Sequence, residues 1–436
     1  MPVLSPPSDT TIPNLATPAV VRKPASWSDI LKKSLPPTGP NQAATNGLTP
    51  LSSLLTTWDP ATLAKSPIIQ PRGLVNQGNM CFMNAVLQVL VYCPPFYNLF
   101  ASIGKRVVQQ IGSTTPLMDA MVMFIQEFEL LSGQMALEDI GEAFSPDNVY
   151  QSMRGNSRFN SMQRGHQEDA EEFLGFLLDG LHEEFVTAMK PPGQMNGHSR
   201  QSSQQDNASV TDEWLEVGKK QKLAVTRTST ITESPISSIF GGHMRSILKI
   251  TGAKDSVTLE PFQPLQLDIQ SEDVSTIEDA LRKLPEPEIL SDSWTDASGQ
   301  QVSATKQVFI ETLPPVLILH LKRFLYDNVG GTQKFWKQVG YPLELEMPSQ
   351  ALSPARRGIV RTTYKLIGVV YHHGLSASGG HYTVDVLRQD GKSWIHLDDT
   401  SISPVEAKDV AVEVDRSRHT LGRPSKLAYI LLYGRV

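Results

Sequence analysis

Cysteine is nearly absent from this sequence, because only Cys81 and Cys93 occur among 436 residues. Two cysteines make a disulfide framework improbable and exclude a zinc site built from four cysteines, and they favour a reducing compartment. Apolar runs long enough to cross a membrane and an N-terminal signal are also lacking, since prolines interrupt the opening residues. These absences predict a soluble protein without membrane attachment, located in the cytoplasm with the nucleus as an alternative.

Basic charge is not in excess either. The formal net charge is −6 and charged residues make up 19% of the chain, so the composition predicts no nucleic-acid partner. Apolar residues amount to 40%, which is enough for a substantial core in one large domain or in two to three smaller ones.

Proline and polar residues are concentrated in two places. Residues 1–70 hold twelve of the 31 prolines together with many serines and threonines, so they offer little apolar surface to offset the entropy lost on ordering. We therefore predict a disordered arm over residues 1–70 and a folded domain over residues 71–436. A polar stretch at about residues 190–235 predicts a flexible insertion inside that domain.

Hydrophobic periodicity differs between the two halves of the domain. The first half has helical patterns after Cys81, over residues 117–131 and over residues 167–189. After Pro235 most apolar runs are short and alternating, as in strands, with one helix predicted over residues 276–284. Helices followed by largely antiparallel strands indicate an α+β fold.

Cys81 is the first candidate for chemistry. It follows a turn rich in Gly and Asn, RGLVNQGNM, and opens an apolar helical run that ends near Pro94. A helix N-terminus favours the thiolate, which is the nucleophilic form of cysteine. The same position also suits an inert core cysteine, so a partner elsewhere in the chain has to decide.

A hairpin in the second half supplies that partner. His381 begins one predicted strand, Asp398 ends the next, and an Asp-Gly turn joins the two strands. In an antiparallel pair these positions lie close together, so a carboxylate could orient the imidazole that accepts the thiol proton. Asp399 is an alternative third acid.

Six stretches in order resemble the motifs of ubiquitin-specific proteases, which are papain-like cysteine peptidases. They are GLVNQGNMCFMNAVLQVL, QEDAEEFLGFLLDGLHEEF, LPPVLILHLKRF, YKLIGVVYHHG, SGGHYTVDV and WIHLDD. Three other stretches, CPPFYNLF, IFGGHMRS and QPLQLDIQ, indicate a subgroup of that family. The resemblance implies a helical thumb with a β-rich palm and fingers, and a thiol-dependent deubiquitinase that cleaves after the C-terminal glycine of ubiquitin.

The resemblance also implies roles for individual residues. Cys81 matches the nucleophile, His381 the general base and Asp398 the acid that orients it. Asn76 matches a side chain that stabilises the oxyanion, as hydrogen-bond donors do. The positions expected to contact the C-terminal tail of ubiquitin are the acids Asp169 and Glu172 and the small residues Gly379 and Gly380.

Cofactor and partner expectations follow from the same resemblance. No cofactor and no metal are expected, and the fingers lack the four cysteines that bind zinc in many family members. The expected partners are ubiquitin and ubiquitinated proteins, together with a scaffold protein carrying an NTF2-like domain that the N-terminal arm would recruit. Two alternatives stay open, namely a catalytically silent ubiquitin-binding scaffold and a thiol hydrolase acting on a ubiquitin-like modifier or an unrelated peptide.

Overall fold

The structure is a computed structural model, and it divides the chain into two units, residues 1–47 and residues 48–436. It describes residues 50–60, 65–106, 114–131, 139–162, 165–190, 212–217, 223–228, 232–250, 254–295, 301–326, 332–376, 379–414 and 426–436. All of these residues belong to the second unit.

Helices dominate the described chain before Gly242, and two short helices follow later. They are α1 (Pro50–Thr56), α2 (Cys81–Val91), α3 (Pro94–Arg106), α4 (Pro116–Gln126), α5 (Asp147–Arg154), α6 (Ala170–Met189), α7 (Pro235–Phe240), α8 (Ile277–Lys283) and α9 (Ala407–Val410). Each residue of α2 is buried, as its apolar run predicts. The helix ends before Pro94, where α3 begins in a new direction because proline suits the first turn of a helix and not its interior.

Strands make up most of the remaining described structure. They are β1 (Arg72–Leu74), β2 (Gly141–Phe144), β3 (Asp212–Val217), β4 (Leu223–Thr228), β5 (Gly242–Ile250), β6 (Ser256–Phe262), β7 (Pro264–Leu267), β8 (Glu288–Thr295), β9 (Gln301–Thr312), β10 (Val316–Leu321), β11 (Phe324–Tyr326), β12 (Thr332–Lys334), β13 (Glu344–Glu346), β14 (Thr363–Ser376), β15 (Gly379–Leu387), β16 (Trp394–Asp398), β17 (Ser401–Val405) and β18 (Ala428–Arg435).

The central sheet has eight strands in the order β17-β16-β15-β14-β18-β10-β7, with β13 paired to β14. Only β10 and β7 run parallel, and the other pairs are antiparallel. One face of this sheet packs with α2 to α7 in a large apolar core. The opposite face packs with α8 in a second core. The sheet therefore separates the helical half from the rest of the unit, and the predicted α+β class is confirmed.

A second sheet of six strands has the order β3-β4-β6-β5-β9-β8. Its strands β3 and β4 come from the stretch predicted to be a flexible insertion, residues 190–235. Within that stretch β3 pairs with β4, and β4 pairs in parallel with β6; for the stretch as a whole, flexibility stays a prediction.

The packed part of the chain also begins earlier than predicted. Helix α1 lies inside the stretch assigned to the disordered arm, yet Leu54 and Leu55 are buried in the large core and Ser52 Oγ donates to the Met189 carbonyl at the end of α6. Ile69 is fully buried as well. These parts of the predicted arm are therefore packed against the domain, and residues 1–49 lie outside the described chain.

Helix α2 and the neighbouring segment Pro94–Lys105 are together long and apolar enough for a membrane span, but the chain bends by 84° between them. Among the described residues, no single helix is long and apolar enough to cross a membrane.

Candidate active site

Cys81 is the first residue of α2, and the turn before it has a specific backbone path. Gly78 has φ +87° and Asn79 has φ +59°, two residue types that tolerate the left-handed region. The Oδ1 of Asn76 accepts from the Met80 backbone N–H at 2.9 Å, which closes the turn onto the helix start. Cys81 is a free thiol and is 2% exposed. The Gly- and Asn-rich segment thus delivers one sulfur to a helix N-terminus.

His381 joins that sulfur to an acid on the neighbouring strand. Its Nε2 lies 2.5 Å from Asp398 Oδ1, and the ring also hydrogen-bonds the Cys81 side chain. Because Nε2 faces the carboxylate, the Nδ1 side of the ring is left for the sulfur. The hydrogen bond with Cys81 is the largest influence on His381; with Asp398 it outweighs partial burial and raises the pKa of His381 to about 9. This favours an imidazolium between a sulfur and a carboxylate.

Asp399 lies beside this pair but has other partners. Its Oδ2 accepts from Asn76 Nδ2 at 2.9 Å, and its Oδ1 accepts from Asn84 Nδ2 at 2.8 Å. The backbone of Asp399 has φ +49°, and its carbonyl accepts from the Leu74 N–H at 2.9 Å. The structure therefore places Asp398, rather than Asp399, on His381 and connects Asp399 to Asn76.

Within the described residues, these groups also form the one cluster with metal-ligand spacing. One ligand atom from each of His381, Asp398 and Asp399 lies within 4.8 Å of the others. Their polar atoms are already engaged with one another and with the two asparagines. A metal ion at this point would have to replace those hydrogen bonds.

The two acids predicted to contact the ubiquitin tail lie at the start of α6. Asp169 caps the helix by accepting from the Glu171 N–H at 2.8 Å, and the Tyr429 hydroxyl donates to both of its oxygens at 2.6–2.7 Å. Burial raises the pKa of Asp169 despite these bonds. Glu172 is exposed one turn away, and burial together with the Asp169 charge raises the pKa of its carboxyl group. Both acids are within one helical turn of each other, and their contact with ubiquitin stays a prediction.

Gly380 adjoins His381, and one side chain missed by the sequence reasoning holds it. Gln167 Nε2 donates to the Gly380 carbonyl at 2.6 Å, and the Gly380 N–H donates to Gln167 Oε1 at 2.5 Å. A side chain at Gly380 would not fit, because its Cβ would lie 2.2 Å from the His373 carbonyl. Gly379 begins the same strand. The only sequence signal for Gln167 is its place just before the acidic turn of α6.

Two buried histidines near this site are not protonated at neutral pH. Burial lowers the pKa of His372 to about 3 and that of His320 to about 4. Their ring nitrogens have no hydrogen-bond partner among the described residues. The two rings pack instead against Tyr382 and Tyr429, respectively. Neither ring is therefore assigned a part in the chemistry.

The site thus combines the Cys81 thiol at a helix start with the His381 imidazole and the acids Asp398 and Asp399 of one hairpin. The side-chain amide of Asn76 donates to Asp399 and accepts from the Met80 N–H. A family model described as ubiquitin carboxyl-terminal hydrolase matches residues 72–433. The chain belongs to this family. As a member it is a cysteine-type deubiquitinase, which confirms the activity predicted from the motifs.

Individual relatives agree with this assignment. The probable ubiquitin carboxyl-terminal hydrolase 3 of Schizosaccharomyces pombe is 45% identical over 444 residues, which cover 95% of this chain and 86% of the relative. Ubiquitin carboxyl-terminal hydrolase 10 of Rattus norvegicus is 39% identical over 405 residues, which cover 86% of this chain and 49% of the relative. The stretches CPPFYNLF, IFGGHMRS and QPLQLDIQ resemble the subgroup of ubiquitin carboxyl-terminal hydrolase 10 and its fungal counterpart. This chain spans about half the length of the Rattus norvegicus hydrolase 10.

Solved structures support the fold. The SAGA deubiquitinating module bound to monoubiquitin has a chain that is 21% identical, with a TM-score of 0.60 over 94% of this chain and 73% of that chain. The same module bound to ubiquitin aldehyde has a TM-score of 0.59 at 22% identity, over 84% of this chain and 69% of that chain. The ubiquitin-specific protease fold predicted from the motifs is confirmed.

Proposed function

We propose that this hydrolase cleaves the bond after the C-terminal glycine of ubiquitin with Cys81 as nucleophile and His381 as base and acid. The Cys81 sulfur attacks the glycine carbonyl, and His381 then protonates the departing lysine amine. Water hydrolyses the resulting thioester, with His381 accepting the water proton. Asp398 keeps the imidazole oriented and stabilises its charged form.

The observation that carries this proposal is the position of His381 between Cys81 and Asp398. Asn76 lies in the turn before Cys81, and its Nδ2 is held by Asp399 at 2.9 Å. An amide N–H fixed beside the nucleophile can donate to the oxygen on which negative charge develops. Asn76 is therefore our candidate for the oxyanion donor, with Asp399 as the residue that holds it.

The test compares the two cysteines of the chain. Cys81→Ala should abolish hydrolysis of a fluorogenic ubiquitin conjugate and covalent labelling by a ubiquitin-based electrophilic probe. Cys93→Ala is the matched control and should keep both hydrolysis and labelling. Cys93 is fully buried and burial raises the pKa of its thiol to about 12, so the probe should not label Cys93 in the native chain or in Cys81→Ala. Labelling that survives Cys81→Ala would refute the assignment. Binding of ubiquitin without labelling of the native chain would favour the silent scaffold.

For the substrate tail we propose contact with Asp169, Glu172 and the Gly379–Gly380 pair. A carboxylate pair at a helix start suits a guanidinium, and glycines leave room for an extended chain beside His381. The ubiquitin named for the solved relatives supports ubiquitin itself as the ligand. Hydrolysis of a ubiquitin conjugate should exceed that of a conjugate of a ubiquitin-like modifier, and the reverse order would favour the second hydrolase alternative.

For partners and location we propose an NTF2-like scaffold protein and the cytoplasm, with the nucleus as an additional site. Residues 1–47 form a separate unit, so their deletion should leave the catalytic unit intact. We expect the deleted chain to keep its activity on a fluorogenic conjugate and to lose capture of the NTF2-like protein. Undiminished capture would contradict the role of the arm. Fluorescence imaging of the tagged full chain would test the location.

A further inference from the structure

Strand β15 carries polar side chains on one face and apolar side chains on the other. The apolar residues Tyr382, Val384 and Val386 pack into the core that contains α2. On the opposite face lie His381, Thr383 and Asp385, which we call the polar row. Residues two apart on a strand share a face, so the row runs directly from the proposed base into the interior.

Each member of the polar row has a partner. His381 faces Asp398, and Thr383 Oγ1 lies 2.8 Å from His373 Nε2. At the inner end Asp385 faces His396, with Oδ1 2.6 Å from Nδ1. Asp385 and His396 are opposite each other in the β15–β16 register, whereas His381 and Asp398 are diagonal neighbours. The same two strands thus carry two His–Asp pairs with the residue types exchanged.

Asp385 connects four parts of the central sheet. It is fully buried, and besides His396 on β16 it accepts from Tyr371 on β14 at 2.7 Å and from Lys426, just before β18, at 2.5 Å. The Lys426 ammonium also lies 3.9 Å from the centre of the Tyr371 ring. Burial alone would raise the pKa of Asp385, but the bonds from His396, Lys426 and Tyr371 hold it below its ordinary value. The carboxylate is thus ionised and satisfied only while these elements stay in register.

We propose that Asp385 is a positioning residue that holds β16 against β15 so that Asp398 stays on His381. His396 is two residues before Asp398 and on the same face of β16, so any displacement of His396 along or away from β15 moves Asp398 with it. The Asp398 carboxylate is half exposed, and among the described residues its one ion-pair partner is His381. The proposal rests on the roles given above to His381 and Asp398.

The test is a double-mutant cycle between Asp385 and Asp398. Asp385→Asn keeps the shape but replaces one acceptor with a donor that faces Lys426 or His396. We expect kcat on a ubiquitin conjugate to fall roughly tenfold, within the range of coupling between residues that act together, while KM stays unchanged. In an Asp398→Asn background the same substitution should cost little more, because the contact it protects is already lost. Lys426→Arg should be closer to the native chain than Lys426→Met.

Two further variants separate positioning from stability. Glu311→Gln is the matched control, because Glu311 is a buried acid between Arg245 and Arg356 on a strand of the other sheet. It should lower thermal stability without lowering kcat per folded molecule. If Asp385→Asn does not fold, His396→Gln enters the cycle in its place, since His396 is only partly buried.

The outcomes are distinguishable from failure of the proposed function. Equal kcat losses for Asp385→Asn in the native and Asp398→Asn backgrounds would overturn the positioning role alone. The positioning role would also be overturned if Glu311→Gln lowered kcat as much as Asp385→Asn does when the two variants lose the same fraction of folded protein. No kcat loss in Asp398→Asn itself would overturn both this inference and the role of Asp398, whereas labelling of Cys81 would still report on the nucleophile.

Discussion

The two adjacent acids of the WIHLDD motif should act on catalysis through different partners. Asp399→Asn is the informative change, because Asn tolerates the left-handed backbone that Asp399 adopts at φ +49° and adds little strain of its own. The aspartate accepts one hydrogen bond from Asn76 and one from Asn84. An asparagine offers one oxygen and one amide nitrogen, so one of those two donors must face another donor.

The size of the effect can be set from these contacts. A hydrogen bond to a charged group contributes roughly 1.5–3 kcal/mol, and loss of an oxyanion donor in a hydrolase lowers kcat by about 10²–10³. Asn76→Ala should therefore lower kcat by roughly a hundredfold. Asp399→Asn should lower it by about tenfold to a hundredfold, because Asn76 stays in place but loses its charged anchor.

A double-mutant cycle on a fluorogenic ubiquitin conjugate, with active-site titration of each variant, checks this reasoning. The combined Asn76→Ala and Asp399→Asn variant should be no slower than Asn76→Ala alone. Asp398→Asn is the control, since its loss should multiply with that of Asn76→Ala. Two results together would refute the separate roles. The first is that the kcat losses of Asp399→Asn and Asn76→Ala multiply in the combined variant, and the second is that Asp399→Asn lowers kcat no further in a His381→Ala background. They would restore Asp399 as the acid that orients the imidazole.

Three other predictions concern His381, Gln167 and Glu184. The kcat/KM of the native chain should fall as pH rises through about 9, where His381 loses its proton. The bond to Cys81 is the main cause of the raised pKa, so NMR titration of Cys81→Ala should give a lower pKa for His381. An unchanged pKa would contradict this. Gln167→Ala removes both hydrogen bonds to Gly380, each contributing about 1 kcal/mol. Because about 1.4 kcal/mol corresponds to a tenfold change in rate, kcat in the conjugate assay should fall by up to about thirtyfold. An unaltered kcat would show that His381 needs no such anchor. Burial raises the pKa of Glu184 from 4.5 to about 7, so the folded state binds that proton more tightly than the unfolded state does. The contribution of this proton to the free energy of unfolding is complete below pH 4.5 and is lost as pH rises through about 7. In urea unfolding, the free energy of unfolding of Glu184→Gln should therefore fall less over that pH range than that of the native chain. An equal fall would point to another group.

Much of the fold followed from local patterns. The apolar run after Cys81 and the Pro94–Pro95 break correspond to α2 and α3, and the helix predicted near residues 276–284 is α8. The hairpin that brings His381 near Asp398 could be predicted because an Asp-Gly turn and two alternating runs define an antiparallel register. Motif resemblance then identified the family, which local patterns alone could not have done.

Other features could not be predicted because they depend on contacts between distant parts of the chain. Strands β3 and β4 form by pairing with β6, and α1 is ordered by packing against α6. The sequence favoured Asp398 as the orienting acid and left Asp399 as an alternative. It could not show that the backbone turn at Asp399 directs that carboxylate to Asn76, more than 300 residues earlier in the chain. Gln167 and Asp385 carry no pattern of their own, since their partners lie on other elements.

The sequence by itself determined the chemistry that is available: one cysteine at a helix start, a histidine and two acids on a hairpin, and too few cysteines for a zinc site of the four-cysteine type. Residue types and local spacing suffice for that, because helix starts and hairpin registers are set within a few residues. Tertiary structure decided which acid contacts the imidazole, which one accepts from Asn76, and which side chains surround the buried Asp385 carboxylate. Those choices depend on directions and distances between distant strands, which exist only after the sheet and its two cores have packed.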